Sequence, residues 1–338
     1  MGKNRIFVLG VERGPKRLGE KRSPMSLNFF QRLLFLSLLL ASTALPTIAE
    51  DLVIPRHGEM LVLTGSTLTE VRRVSVNSHH RPVLAVHPSE PILASVTEHR
   101  GLVFWNLPSF AQASRHESTM LENITAAHFS PDGRSLYLLN TELRAIVVFD
   151  LASSKVAGVL AVPGENPLDF GVTSQGVWVR QEHGATFLSS NAQEGLLAQY
   201  RFPEALAAGL VTGDRFYAVI GETTGISSYI LKSGRALGYL PTAERIRHLL
   251  SEDRGFYLLS SQGGVEFKDL ASGSQIWSGS VVGEGADYLL SGKDSASLYV
   301  IGRGSGMVRS FDSRTGDAKA QFRVRDGMGV PIVVPGDL

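Results

Sequence analysis

The sequence predicts an all-β fold: a seven-bladed β-propeller of four-stranded blades, closed by pairing of the C-terminal strand with the N-terminal blade. Three observations predict it. First, a phrase of strand, tight turn, strand, loop and strand returns about every 40 residues, the length of one blade. Its clearest copy is Phe129-Ser130-Pro131-Asp132-Gly133-Arg134-Ser135-Leu136-Tyr137-Leu138-Leu139, followed by Ile146-Val147-Val148-Phe149-Asp150-Leu151. Second, the end of each third strand marks the period. The marks fall at Thr64, Asn106, Asp150, Asn191, Ile230, Asp269 and Asp312, at intervals of 39 to 44 residues. Third, the two ends are each incomplete in a complementary way. The first unit offers only Leu52–Pro55, Met60–Thr64 and Glu70–Val76, while Gly329–Asp337 reads as a lone first strand with the start of its turn. Pairing these ends removes two open sheet edges, which would otherwise template aggregation.

Taken in order, the chain opens with a segment outside this pattern. Leu33–Ala41 is an apolar run preceded by Arg32 and followed by Thr47-Ile48-Ala49, with small residues at the −3 and −1 positions of a cleavage site. These are the marks of a secretory signal peptide, and the run is too short for a permanent bilayer span. The expected division is a leader over residues 1–49, cleaved after Ala49 and with Met25 as an alternative start, then one propeller domain over 50–338. Removing the leader's 8 basic and 2 acidic residues takes the chain from 33 basic and 32 acidic residues to 25 and 30, a net charge of −5. Nucleic-acid binding needs a basic surface, so that class is excluded. The chain has no cysteine; disulfides, a lipid anchor on cysteine, covalent c-type haem and thiolate metal sites are therefore excluded too. The expected compartment is the periplasm, with secretion as the alternative, and no membrane segment is expected after cleavage.

Within each unit the first strand reads as Pro82–Val86, Ala126–Phe129 or Asp287–Leu290, and the fourth as Val156–Val162, Ala236–Leu240 or Ala318–Val324. Lys232-Ser233-Gly234 and Arg314-Thr315-Gly316 between third and fourth strands suit tight turns. Outer strands alternate, and inner ones are more continuously apolar. The Ser-Pro-Asp-Gly, Leu-Tyr and Val-Phe-Asp phrase resembles the YVTN-type β-propeller repeat of secreted bacterial proteins. The resemblance is close over residues 121–162, fair in blades two, six and seven, and slight in blades four and five. No blade carries the namesake tetrapeptide intact, and Leu136–Asn140 comes nearest. It implies the fold; the repeated residues are structural, so it says little about function.

Candidate ligand-binding residues therefore lie in the loops around the channel mouth. His79-His80-Arg81 precedes the first strand of blade two and could hold an anion or a metal, although nothing marks the further ligands a metal needs. Glu98-His99-Arg100 lies between its second and third strands, with Glu142 and Arg144, Glu182 and His183, and Glu222 in matching loops. A carboxylate beside an imidazole could do acid–base work. The bland readings are exposed polar turns for these residues and structural roles for His87, His128, Asp132 and the aspartates at the marks. Trp178 and Trp277 read as core. No metal site, cofactor motif, nucleophile elbow or phosphate loop is legible, and Gly302–Gly306 reads as a hairpin turn. The sequence thus favours a non-catalytic binding or scaffolding module for a protein or small ligand, with no cofactor. Two enzymatic readings stay open: a hydrolase resembling phosphogluconolactonase-like lactonases, with Glu98, His99, His79 and Arg81 as its working residues, or a subunit of a periplasmic redox enzyme that carries no haem of its own.

Overall fold

The computed structural model describes residues 50–335 except positions 77, 98–100, 191–194, 253–254, 270–271, 282–284, 293–295 and 326. The leader, its cleavage site and Gly336-Asp337 lie outside the described residues. Seven four-stranded antiparallel sheets form the ring. From blade one to blade seven the innermost strands are Ile332–Pro335, Val83–Val86, Ile124–Phe129, Pro167–Thr173, Leu206–Thr212, Ile246–Glu252 and Tyr288–Ser291. The expected strands are found within two residues of their positions, the ordinary scatter of element ends.

Closure is by the two chain ends, as the sequence predicts. Ile332–Pro335 pairs with Glu50–Arg56, matching Glu50 with Pro335 and Val53 with Ile332. Val334 is fully buried and Val333 nearly so. The Glu50 side chain, itself buried, accepts a hydrogen bond from the Tyr299 hydroxyl at 2.5 Å. Tyr299 belongs to blade seven and Glu50 to blade one, so this contact adds a polar tie across the closing joint.

Among the described residues the apolar core divides into seven clusters, each shared by two neighbouring blades. One joins Leu136, Leu138 and Phe149 of blade three to Leu102 and Phe104 of blade two. The second and third strands carry this burial: Ser135–Asn140 is buried from Leu136 onward and Gly255–Ser260 throughout. Innermost strands are less continuously buried, because one of their faces lines the central channel.

The repeated turn residues have the structural work that the sequence assigns them. Asp150 Oδ1 accepts from Ser153 N–H at 2.7 Å, Asp269 Oδ1 from Ser272 N–H at 2.7 Å, and Asp312 Oδ1 from Arg314 and Thr315 N–H. The Pro-Asp-Gly turn of blade three also locks onto blade two. His87 is buried; its Nδ1 accepts from Glu90 N–H at 2.8 Å, which leaves the proton on Nε2 to be donated to Gly133 O at 3.0 Å. Gly133 has φ +73°, and a Cβ there would sit 2.3 Å from His87 Nε2. Glycine is thus required at this turn twice, by its own backbone and by the neighbouring blade.

A second set of buried polar residues ends the second strands. Asn140 Nδ2 donates to Glu122 O at 2.7 Å while its Oδ1 accepts from Leu143 N–H at 2.8 Å. Gln181 Nε2 donates to Glu165 O at 2.7 Å and its Oε1 accepts from Thr186 at 2.9 Å. Gln181 ties the loop that enters blade four to the third strand of that blade, and Asn140 ties the loop that enters its own blade to the loop between its second and third strands. Those two loops form the face at which the channel opens.

Candidate functional site

The channel mouth and upper lumen enclose about 1690 Å³. Innermost strands supply most of the wall, and irregular pairing decides which side chains reach it. In blades three to six the register slips by one residue at Thr125, Leu168, Ala207 and Arg247. A bulge of this kind inserts one residue and re-aims the chain, and all four residues line the lumen. Only blade six places a charge there. The next residue in each strand is Ala126, Asp169, Ala208 or His248, and these also face the lumen together with Tyr288 of blade seven.

Trp178 and Arg180 come from the second strand of blade four, one layer further out. Trp178 reaches the lumen because the inner strand opposite it carries a glycine; Arg180, opposite Asp169, also lines it. Gly171 pairs with Trp178, and a Cβ at 171 would lie 2.3 Å from the indole Nε1; Gly209 of blade five leaves a further gap, its Cβ position 3.4 Å from Trp178 Cζ3. The indole therefore lies over two glycines, half-buried, with part of it on the lumen rather than wholly within the core. The other tryptophans are core residues with satisfied N–H groups: Trp105 donates to Ser95 Oγ and Trp277 to Ser313 O, each at 2.8 Å. The Trp178 N–H has no such bond among the described residues.

Charge in the lumen is strongly one-sided. Arg81, Arg180, Arg247, Arg303, Arg323 and Arg325 line it against Asp169 and Asp287. Asp287 is engaged with Arg303 at 3.1 Å. Arg180 donates only to Leu206 O, at 3.3 Å, and Arg247 is exposed to the lumen with no counter-charge among the described residues. A cationic concavity with low-dielectric walls concentrates anions, although residues 50–338 carry a net charge of −5.

Three further groups titrate abnormally. His248 packs against Tyr288 with ring centroids 4.3 Å apart and the rings tilted by 52°. Burial pushes its pKa down to about 4, helped by the nearby Arg180 and Arg303, so the imidazole is neutral at neutral pH. Its Nδ1 is buried without a hydrogen-bond partner. Burial raises the Tyr288 pKa, with the Asp169 charge adding to the shift and Arg303 opposing it. His128 packs edge-on against Phe170 at 4.8 Å; burial lowers its pKa, and Asp169 partly offsets this.

Of the residues singled out in the sequence, Arg81 reaches this lumen; its Nη1 donates to Met328 O at 3.3 Å, across the closing segment. His79 and His80 occupy the turn before it. His79 O contacts His57 Nδ1 at 3.1 Å and His80 N–H donates to Ser78 Oγ at 3.1 Å. Glu142 accepts from Asn123, and Arg144 is exposed in the same loop. His183 sits over Glu165, its N–H donating to Glu165 Oε2 at 2.8 Å, beside the exposed Glu182. Glu98, His99 and Arg100 lie outside the described residues. Sequence reasoning missed Asp169, Trp178, Arg180, Arg247, His248 and Tyr288. Their signal was a charged or polar residue inside an otherwise apolar strand, as in Ile246-Arg247-His248-Leu249.

No known family model matches the chain, and no curated protein matches it in sequence. Solved structures resemble it in fold. Dihydro-heme d1 dehydrogenase NirN in complex with DHE superimposes with a TM-score of 0.62 at 11% identity, covering 86% of this chain and 75% of that one. Kluyveromyces lactis Hsv2 with complete loop 6CD gives 0.56 at 8% identity, over 69% and 73%. KlHsv2 with that loop replaced by a Gly-Ser linker gives 0.59 at 8%, over 72% and 82%. At these identities the likeness is one of β-propeller architecture.

Proposed function

We propose that this protein is an exported, non-catalytic binding propeller of the YVTN type, whose ligand is an organic anion held in the lumen. The one observation that carries the reading is the arginine excess there, six arginines to two aspartates, with no ion pair within 4 Å at Arg180 or Arg247 among the described residues, although Asp169 lies opposite Arg180 on the inner strand. An arginine without a counter-ion inside a concave site is poised for a carboxylate or phosphate. Export is supported by Leu33–Ala41 and Thr47-Ile48-Ala49, and the YVTN-type assignment by Phe129–Leu139. The hydrolase alternative depends on Glu98 and His99, which lie outside the described residues.

The test is thermal denaturation of the processed protein with adipate, citrate and naphthalene-2,6-dicarboxylate, each beside its neutral alcohol or ester. Anions should raise the melting temperature, less so at high salt, and the double variant Arg180→Gln/Arg247→Gln should not respond. If neutral analogues stabilise equally, or the double variant responds in full, the reading is wrong. Amino-terminal sequencing of protein from the periplasmic fraction tests export; a chain retained in the cytoplasm with its leader intact would refute it.

A further inference from the structure

The lumen wall between blades four and seven combines three features that neither a small anion nor a neutral ring explains alone. Trp178 brings part of its indole to the lumen and has an N–H without an acceptor among the described residues, with room made by the absence of side chains at Gly171 and Gly209. Arg180 is two residues along the same strand, so both side chains project from the same sheet face. His248 and Tyr288 pack against each other with their rings tilted, and line the same lumen. With Nδ1 of His248 buried and unpartnered, the proton belongs on Nε2, since a buried N–H without an acceptor costs more than a buried lone pair. A small tetrahedral anion would use the arginines and leave the aromatic surfaces wet. A neutral aromatic would use the rings and leave Arg180 and Arg247 without a counter-charge.

We infer that the lumen is a site for a planar aromatic anion, a conjugated ring bearing carboxylate or phosphate groups. This rests on the reading of the lumen as an anion site and adds the class of anion. The ring lies against the Trp178 indole, a contact of about 1–3 kcal/mol by analogy with base–aromatic stacking. Its anionic groups meet Arg180 and Arg247, and one of their oxygens accepts from the His248 imidazole. The glycines are the telling detail. An alanine at 171 would push against the indole, so the sequence of the inner strand preserves an aromatic surface on the lumen.

Calorimetric titration of the processed protein with three probes tests this: naphthalene-2,6-dicarboxylate, adipate and naphthalene-2,6-dimethanol. Tryptophan fluorescence is followed in parallel. The aromatic dianion should bind about tenfold or more tightly than either of the others and quench fluorescence. Trp178→Leu should remove both the quenching and the advantage over adipate. Trp178→Phe should retain most of the advantage, and circular dichroism checks that both variants fold. Adipate binding as tightly as the aromatic dianion would overturn the aromatic class while leaving the anion site standing. Equal binding of the dimethanol would overturn the requirement for charge. Failure of all three probes would refute the lumen site itself.

Discussion

Replacing Gly133 by alanine tests how one blade is indexed to the next. The substitution has two separable costs. Alanine at φ +73° carries a backbone penalty of about 1 kcal/mol. In addition, its Cβ would lie 2.3 Å from His87 Nε2, well inside contact distance. His87 is 3% exposed and holds hydrogen bonds on both ring nitrogens. It cannot move without breaking the bond to Gly133 O, worth about 1 kcal/mol, and straining the packing against Phe129 at 5.0 Å. The total is about 3 kcal/mol. Gly213 supplies the control. It occupies the equivalent turn of blade five at φ +57°, and a Cβ there meets nothing within 4 Å. Gly213→Ala should therefore cost only the backbone part, about 1 kcal/mol. Urea denaturation of both variants gives the difference, predicted at about 2 kcal/mol with unchanged slope. If Gly133→Ala costs no more than Gly213→Ala, the imidazole is not a fixed inter-blade lock and the reasoning fails.

Other substitutions probe the closure, the upper face and the lumen. Val334→Ala at the fully buried closing strand should cost about 2–3 kcal/mol, whereas Val159→Ala on an outer strand, 42% exposed, should cost under about 0.5 kcal/mol; equal losses by denaturation would argue against ring closure through this strand. Asn140→Ala removes the bonds to Glu122 O and from Leu143 N–H and leaves both groups short of a partner, so a loss of about 2–4 kcal/mol is expected in the same assay. His248 has a folded pKa of about 4 against an ordinary 6.5, so the unfolded chain binds the extra proton. Its contribution is complete above the unfolded pKa and declines as pH falls through that value toward about 4, by about 3 kcal/mol. His248→Phe should flatten this part of the stability–pH curve. An unchanged slope between about pH 7 and pH 4 would contradict the buried, neutral assignment.

The architecture was legible because its signals repeat. The period, the aspartates at 150, 269 and 312, and the complementary ends at Leu52 and Val334 each report on backbone pairing, which the same residue types satisfy in every copy. The lumen was not legible, because one-residue slips decide its lining. A bulge at Arg247 turns that residue and His248 toward the channel, and nothing in the local composition announces the slip. Trp178 reads as core from its strand, and only the juxtaposition with Gly171 and Gly209 shows part of it to be on the lumen. Both glycines lie on other strands, Gly209 in the next blade. Reasoning from loops favoured His79 and His80, which the structure places in the turn before Arg81, while the arginine excess is built on strands.

The central claim is that the ligand is held by the lumen wall rather than by the polar rim. The most direct measurement is the dissociation constant for naphthalene-2,6-dicarboxylate of three proteins: the processed wild type, Arg180→Gln/Arg247→Gln and His79→Ala/His80→Ala. The account predicts about tenfold or greater weakening for the lumen pair, some 1.4 kcal/mol or more, and a change within about twofold for the rim pair. Full binding by the lumen pair, with binding lost in the rim pair, would contradict it.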